Sequence, residues 1–286
     1  MMNRTVYVNG YYVKEEQAKV SIFDRGFLFA DAVYEVTAVL NGKLIDNAGH
    51  VARLERSCKE LGIKMPVTAE ELTKIQKHLI KINNLTEGGV YLQLTRGSEG
   101  DRDFSYSEEI QPTLVMFTQQ RDLINSAPAQ KGIKVLSMDD IRWRRRDIKT
   151  TSLLPACLAK HIAHQAGCDD VWLIEDDFVT EGGSSNAYIV TNDNKIVTRP
   201  LSNDILHGIT RSSLLQLARD CNLEIEERPF TIDEAYQAKE AFVSSATTFI
   251  WPVVSIDGHS IGCGQPGEVA SKLRDIYIKT AIELGE

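Results

Sequence analysis

Residues 5–14 read TVYVNGYYVK, two β-prone runs on either side of an Asn-Gly pair. Both central positions of a two-residue hairpin turn require a positive φ, which Asn9 and Gly10 tolerate. The arrangement recurs where YEVTAVL and KLID flank the Asn41-Gly42 pair. Two such hairpins predict that the chain begins as an antiparallel sheet.

Helical signals come next along the chain. Val51, Leu54, Cys58 and Leu61 recur at helical spacing, and Gly62 follows in the position of a C-cap. A second helix is predicted to begin at Thr68, because a Glu three residues later completes a capping box. The first part of the chain is therefore predicted to combine a sheet with helices.

The rest of the chain continues to mix strands and helices without strict βαβ alternation. Residues 121–132 lose hydrophobic periodicity and contain Pro128 and Gly132, which predicts a linker. The interpretation is an α+β (mixed α/β) fold in two domains. The predicted boundaries are an N-terminal α/β domain over residues 1–120, an interdomain linker over 121–132 and a C-terminal domain over 133–286.

Composition excludes several classes of protein. The 286 residues are 43% hydrophobic and 25% charged, an ordinary globular balance that argues against disorder or low complexity. The net charge of −8 argues against a general nucleic-acid binder, which needs a basic face. We find no membrane-spanning run and no signal peptide, and the five cysteines are irregularly spaced. A cytoplasmic protein without membrane or nucleic-acid partners is expected.

Residues 142–151 read RWRRRDIKTT, and five of the first eight carry positive charge. Such a run either faces water or meets an anion, and on its own pattern the solvated interpretation is favoured. Lys149 stands apart because it lies between an apolar residue and a hydroxyl run. A lysine in this position is a candidate nucleophile or proton shuttle.

Residues 179–186 read VTEGGSSN and lie between two apolar runs. Glu181 is followed by two glycines and three small polar residues that end at Ser185 and Asn186, a poor pattern for a strand. The pattern suits a backbone nest for an anion with a carboxylate beside it. A plain hairpin turn is an equally good interpretation.

Residues 206–211 read LHGITR and directly precede a predicted helix. Free N–H groups at a helix N-terminus, with Gly208 allowing close approach and Thr210 supplying a hydroxyl, suit a phosphate group. An ordinary N-cap formed by Thr210 is the competing interpretation.

The three segments together supply a lysine, a carboxylate and two anion cradles, which are what pyridoxal 5'-phosphate requires. The segments DIRWRRRDIKTTSLLPACLAK, VTEGGSSNAYIV and LHGITR resemble those of fold-type IV pyridoxal-phosphate aminotransferases. FDRGFLFADAVYEV and NAGHVARLERS resemble the N-terminal domain of that family in order and spacing. The resemblance extends over essentially the whole chain and implies a two-domain enzyme with the cofactor at the domain interface.

The resemblance also implies roles for individual residues. Lys149 matches the Schiff-base lysine, Glu181 the partner of the pyridine nitrogen and Arg53 the main phosphate ligand. Without the resemblance, a surface position on an amphipathic helix would be the better interpretation of Arg53. The remaining cofactor-binding residues that the resemblance implies are Ser185, Asn186, Leu206, Gly208, Ile209, Thr210 and Thr247. No metal is expected.

Within the family, the residues DRGF-x-F-x-D-x-VYEV are most similar to the D-amino acid (D-alanine) transaminases. That similarity places Tyr34 in the substrate pocket and implies an Arg and a His from the partner subunit of a homodimer. Arg102 can be matched to the arginine with one residue inserted, whereas Phe104 takes the place of the histidine. Arg102 could instead be an ordinary solvated residue of a charged loop.

The leading hypothesis is a transaminase that exchanges an amino group between a D-amino acid and a 2-keto acid by a ping-pong mechanism. Branched-chain L-amino acid transaminases, (R)-selective amine transaminases and aminodeoxychorismate lyases share the same signature residues and stay open as alternatives. A hypothesis of another class is a non-catalytic protein whose basic segment 142–149 binds an acidic ligand.

Overall fold

A computed structural model gives the structure of the protein and describes residues 4–286. The chain divides into two compact units. Unit 1 consists of Met1–Asp122, Ile148–Ser152 and Ala281–Glu286, and unit 2 consists of Leu123–Asp147 and Leu153–Thr280. Both units mix strands with helices, as the sequence predicts.

Unit 1 is built on a six-stranded antiparallel sheet with the strand order β2-β1-β6-β5-β3-β4. Both predicted hairpins are confirmed, with φ of 46° and 93° at Asn9 and Gly10 and of 52° and 74° at Asn41 and Gly42. The strands are Thr5–Val8 (β1), Tyr11–Lys14 (β2), Ala32–Leu40 (β3), Lys43–Leu44 (β4), Glu87–Thr95 (β5) and Thr113–Gln120 (β6).

Three helices accompany this sheet, Arg25–Phe29 (α1), Asn47–Leu61 (α2) and Ala69–Ile82 (α3), together with a 3₁₀ turn over Glu15–Gln17. Gly62 ends α2 with a φ of 63°, and the Thr68 hydroxyl accepts a hydrogen bond from the N–H of Glu71 at 3.2 Å. The predicted C-cap and the predicted start of a helix at Thr68 are therefore confirmed, and the Thr68 half of the capping box is formed. The apolar faces of α2 and α3 pack with strand residues into one core.

The short segment Ile148–Ser152 belongs to unit 1 by its contacts. Ile148 is buried in the core of unit 1, and Val33 of β3 forms an isolated β-bridge with Thr150. The N–H of Thr151 also donates to the carbonyl of Ala32 at 3.1 Å. These contacts place the segment beside β3, whereas the sequence boundaries put it in the C-terminal domain.

Unit 2 contains a mixed sheet of nine strands in the described chain, in the order β12-β11-β10-β13-β14-β7-β8-β9, with β15 paired to β14. Its strands are Ile133–Asp139 (β7), Asp170–Glu175 (β8), Phe178–Gly182 (β9), Asn186–Val190 (β10), Ile196–Thr198 (β11), Ile225–Glu227 (β12), Glu240–Ser245 (β13), Phe249–Ile256 (β14) and His259–Ser260 (β15). Its helices are Ala127–Lys131 (α4), Leu154–Gln165 (α5), Ile209–Asp220 (α6), Ile232–Tyr236 (α7) and Glu268–Leu284 (α8).

Two segments of unit 2 differ from the sequence-based interpretation. Residues 178–182 form strand β9, although the glycines made a strand look unfavourable. The strand forms because it pairs with β8. Glycine suits position 182 for a different reason, since a Cβ there would clash with the hydroxyl of Ser185. The predicted linker carries helix α4, and Leu123 within it is buried.

We searched the helices of residues 4–286 for a membrane span and found none with the necessary length and apolar character.

Candidate active site

Lys149 is fixed beside strand β3 within unit 1. Its carbonyl accepts a hydrogen bond from the N–H of Tyr34 at 3.0 Å, and its Nζ lies 4.3 Å from the centre of the Tyr34 ring. The backbone of both residues is thus held by the sheet, and the ammonium lies against an aromatic face. The structure therefore brings together two residues that the sequence assigned to catalysis and to the substrate pocket.

The ring of Tyr34 belongs to an aromatic row across the sheet. It stacks on Tyr91 at 5.7 Å between ring centroids, and Tyr91 stacks on Phe117 at 4.8 Å. Side chains of one strand alternate between the two faces of a sheet. Glu35, the next residue of β3, consequently projects to the opposite face.

Arg53 is buried, in contrast to the surface position that its helix pattern alone would favour. The side chain is only 7% exposed and donates from Nε and Nη2 to the two carboxylate oxygens of Glu35, each at 2.7 Å. The Nδ1 atom of His50 lies 2.7 Å from Oε2 of the same carboxylate. A bidentate pair of this kind fixes the plane of the guanidinium. No local sequence pattern identifies Glu35 as the partner of Arg53.

Opposing effects act on the pKa of Glu35. Complete burial raises it, but the charge and hydrogen bonds of Arg53, with the hydrogen bond of His50, lower it to about 2 from an ordinary value of 4.5. A depressed pKa in the folded state stabilises the fold above the unfolded pKa. This contribution is complete above about pH 5 and is lost as the pH falls toward 2.

We expect Glu35→Gln to lower the free energy of unfolding by about 3 kcal/mol near neutral pH, because the mutation removes the ion pair. The difference between wild type and mutant should shrink by about 2 kcal/mol between about pH 6 and about pH 3, because Glu35 of the unfolded chain takes up a proton in this range while Glu35 of the folded protein stays ionised. Urea denaturation of both proteins at a series of pH values measures this difference in the free energy of unfolding. Glu55→Gln is the matched control, because Glu55 is an exposed carboxylate on α2, the helix that carries Arg53. A difference independent of pH would contradict the assignment.

Glu181 is a buried carboxylate on β9 of unit 2, and three donors reach it. Oε1 accepts from Nη1 of Arg142 at 2.6 Å, while Oε2 accepts from the N–H of Leu206 at 3.0 Å and from Nδ2 of Asn186 at 3.2 Å. Burial raises the pKa of Glu181, and the Arg142 cation offsets part of that rise. A carboxylate offers about four acceptor positions, so one further donor can be accommodated.

The basic segment proves to be largely paired with carboxylates, not solvated. Arg142 also forms a bidentate pair with Asp140 at 2.9 and 2.6 Å, and the Asp140 side chain is fully buried. Arg146 pairs with Glu175 at 2.6 Å. The solvated interpretation is thus wrong for these two arginines, because the anions they meet belong to the protein.

Asn186 links Glu181 to the segment before α6. Its Nδ2 also donates to the carbonyl of Leu206 at 3.0 Å, and a Cβ on Gly208 would lie 2.0 Å from its Oδ1. Any side chain at position 208 would therefore displace the Asn186 amide from its bonds to Glu181 and Leu206. Helix α6 begins at Ile209, and Gly208 caps it without a side-chain hydrogen bond, which rules out the predicted alternative of a cap by Thr210.

Ser185 and Thr247 are two further predicted cofactor ligands in unit 2. The Ser185 hydroxyl is buried and, among the described residues, has no hydrogen-bond partner. Asn186 pairs in register with Ser244 of β13, and Thr247 lies three residues beyond Ser244 in the turn before β14. Unit 2 thus gathers the predicted ligands Glu181, Ser185, Asn186, Leu206, Gly208, Ile209 and Thr210, with Thr247 at the end of a neighbouring strand.

Arg102 and Phe104 lie in the exposed segment between β5 and β6 in unit 1. The Arg102 guanidinium lies 5.0 Å from the ring centre of Phe29 and 5.1 Å from that of Phe104. The arginine is thus held between aromatic rings, although both loop residues are exposed to solvent.

Comparisons with known proteins identify the family of this chain. The family model described as "Amino-transferase class IV" matches residues 32–256. A D-alanine aminotransferase of Bacillus licheniformis is 39% identical over 269 residues, covering 94% of each chain. One of Staphylococcus epidermidis is 36% identical over 275 residues, covering 96% of each. The branched-chain amino acid aminotransferase of Escherichia coli matches in fold, with a TM-score of 0.90 and 22% identity over 98% of this chain and 95% of that one.

The fold and these matches define a class IV aminotransferase, and the chain belongs to that family. The α+β fold and the resemblance to fold-type IV enzymes are thereby confirmed. The protein is a pyridoxal-phosphate-dependent aminotransferase, which excludes the alternative of a non-catalytic binding protein.

The residues of unit 2 fit this cofactor. The buried hydroxyl of Ser185 has no hydrogen-bond partner among the described residues, and Glu181 has room for one more donor. The N-terminus of α6 offers backbone N–H groups without a side-chain cap, at a glycine that allows close approach. These features suit a ring nitrogen and an anionic group.

Proposed function

We propose that the chain is a D-amino acid transaminase that moves an amino group between a D-alanine-like amino acid and a 2-keto acid. The main structural support for a cofactor-dependent transaminase is the buried Glu181 carboxylate, which accepts hydrogen bonds from three donors and can accept a fourth. The similarity to D-alanine aminotransferases over nearly the full length supports the substrate class. Ping-pong kinetics follow from the two half-reactions of transamination.

In this proposal Lys149 would hold the cofactor through a Schiff base and would carry the proton that leaves and rejoins the substrate. Glu181 would accept a hydrogen bond from the pyridine nitrogen of the cofactor and keep that nitrogen protonated. Bound pyridoxal phosphate supplies an electron-accepting ring. Arg53, with Ile209, Thr210 and Thr247, binds the phosphate, and Leu206 packs against the ring.

The fold alone does not separate the members of this family. A branched-chain amino acid aminotransferase has the same fold, so that activity is the main alternative, with (R)-selective amine transaminase and aminodeoxychorismate lyase behind it. Tyr34, Arg102 and Phe104 form the proposed substrate-binding set. Arg102 binds the substrate α-carboxylate and Phe104 supplies an apolar wall.

We further propose a homodimer in which Arg102 serves the site of the partner subunit. Helix α5 supports a protein–protein contact, because Leu154, Leu158 and Ile162 recur at spacings of four and are 69%, 49% and 43% exposed. A cytoplasmic location stays a prediction from the sequence.

Arg102→Ala is expected to reduce kcat/KM for D-alanine roughly 10²-fold, because a charge-assisted carboxylate contact is lost. Amines without a carboxylate should react at an unchanged rate. Half-reaction spectroscopy of the loaded protein with D-alanine, L-leucine and (R)-1-phenylethylamine measures both effects. Preference for L-leucine in the wild type would favour the branched-chain alternative.

Mixed dimers test where Arg102 acts. Arg102→Ala and Lys149→Arg subunits are each expected to be poorly active alone. A heterodimer of the two should regain one complete site if Arg102 serves its partner. If Arg102 served its own subunit, both sites would stay defective, and the absence of complementation would contradict the proposal.

A further inference from the structure

The loop that carries Arg102, residues 98–111, is irregular and acidic. It contains no helix or strand and is mostly exposed. Five carboxylates and one arginine give it a net charge of −4. Such a segment repels both itself and a carboxylate substrate. Hydrogen bonds within the loop order parts of its backbone but do not hold the Arg102 guanidinium, whose contacts among the described residues are with the rings of Phe29 and Phe104.

Arg25, the first residue of α1, binds the backbone of this loop. Its Nη1 donates to the carbonyls of Asp103 and Ser105 at 2.7 and 3.2 Å, and its Nη2 donates to that of Phe104 at 3.0 Å. Three consecutive carbonyls of the loop thus converge on one buried guanidinium. Its Nε donates to Asp31 at 2.9 Å, which anchors the arginine to unit 1.

Aromatic rings connect Arg25 to Arg102. The guanidinium of Arg25 lies 4.9 Å from the ring centres of both Phe29 and Tyr106. Phe29 is also the ring on which Arg102 lies, and its centroid is 5.4 Å from that of Phe104. Two arginines therefore share one aromatic ring, and each contact limits where Arg102 can point.

We propose that Arg25 is a positioning residue that holds loop 98–111 so that Arg102 meets the substrate carboxylate. This inference rests on the proposed function of Arg102. Arg25 does not itself bind substrate, because its guanidinium already donates to Asp31 and to the three carbonyls.

The test is a double-mutant cycle with the cofactor-loaded enzyme. Arg25→Lys keeps the charge but cannot reach three carbonyls and Asp31 together. It is expected to raise the KM for D-alanine roughly tenfold while kcat stays within about threefold. In an Arg102→Ala background the same substitution should change the KM for D-alanine less than about twofold.

Lys64→Met is the matched control, since Lys64 bonds the carbonyl of Glu108 in the same loop from an exposed position. It should leave the KM unchanged. If Arg25→Lys folds poorly, Tyr106→Leu removes the half-exposed ring against Arg25 and should give the same selective rise.

Two results would overturn the inference. One is a fall in kcat as large as the rise in KM, and the other is an equal effect of Arg25→Lys with and without Arg102. The proposed function is judged separately by Arg102→Ala alone. If that variant affects D-alanine but Arg25→Lys and Tyr106→Leu do not, only the positioning role fails. If Arg102→Ala has no effect, both fail.

Discussion

Lys149→Arg is expected to reduce transamination at least roughly 10⁴-fold, because the mutation removes both the Schiff-base amine and the proton carrier. Arginine keeps the positive charge against the Tyr34 ring, so the fold of the segment beside β3 should survive. The wild-type protein loaded with cofactor should be yellow, and borohydride should bleach it. Mass spectrometry should then find a reduced adduct on the peptide containing Lys149.

Lys160→Arg is the control for this experiment. Lys160 lies on α5 and pairs with Asp170 at 3.0 Å, and 38% of its side chain is exposed. The Lys160→Arg substitution should therefore leave kcat within about threefold of the wild-type value. An adduct on any lysine other than Lys149 would remove the proposed role. So would continued turnover of D-alanine by the Lys149→Arg variant.

Local patterns in the sequence predicted much of the fold. The Asn-Gly pairs, the Gly62 C-cap and the Thr68 N-cap each determine the conformation of a few adjacent residues, and each lies where expected. Their information is local, because the residue that adopts the unusual φ or supplies the cap is next to the element it ends.

Partners distant in sequence could not be predicted in this way. Glu35 lies 18 residues from Arg53, and Arg142 lies 39 residues from Glu181. Which carboxylate meets which arginine depends on how strands align in space. A charged residue inside the apolar strand VYEV was the one available signal for Glu35, since an unpaired charge there would be costly.

The same reason explains why the sequence pointed to Arg102 as a candidate but not to Arg25. Arg102 can be matched along the chain, but Arg25 acts on carbonyls 78 to 80 residues away. Backbone carbonyls carry no sequence signature at all. The segment Ile148–Ser152, which contains Lys149, could not be assigned from sequence for the same reason. Its contacts with β3 place it in unit 1, although the chain on either side of it belongs to unit 2.

Glu181→Gln should lower the rate of the half-reaction with D-alanine roughly 10²- to 10³-fold. A neutral amide cannot keep the pyridine nitrogen protonated, so the ring accepts electrons less readily. The amide is nearly isosteric, but its NH₂ group must face either the Arg142 or the Leu206 donor. Stopped-flow absorbance measures the rate. The pH at which the visible absorption of the loaded protein changes should also move upward, since a neutral ring withdraws less charge from the Schiff-base nitrogen.

Glu175→Gln is the matched control, because it is the same chemical change in a carboxylate that pairs with Arg146 at 2.6 Å and does not contact Glu181 through any described bond. Its rate should stay within about threefold of wild type, and its absorption should titrate at the same pH. Glu181→Asp keeps the charge on a shorter side chain and should recover part of the lost rate. Equal losses in Glu181→Gln and Glu181→Asp would show that shape, not charge, matters at this position, and the electrostatic role assigned to the carboxylate would have to be abandoned.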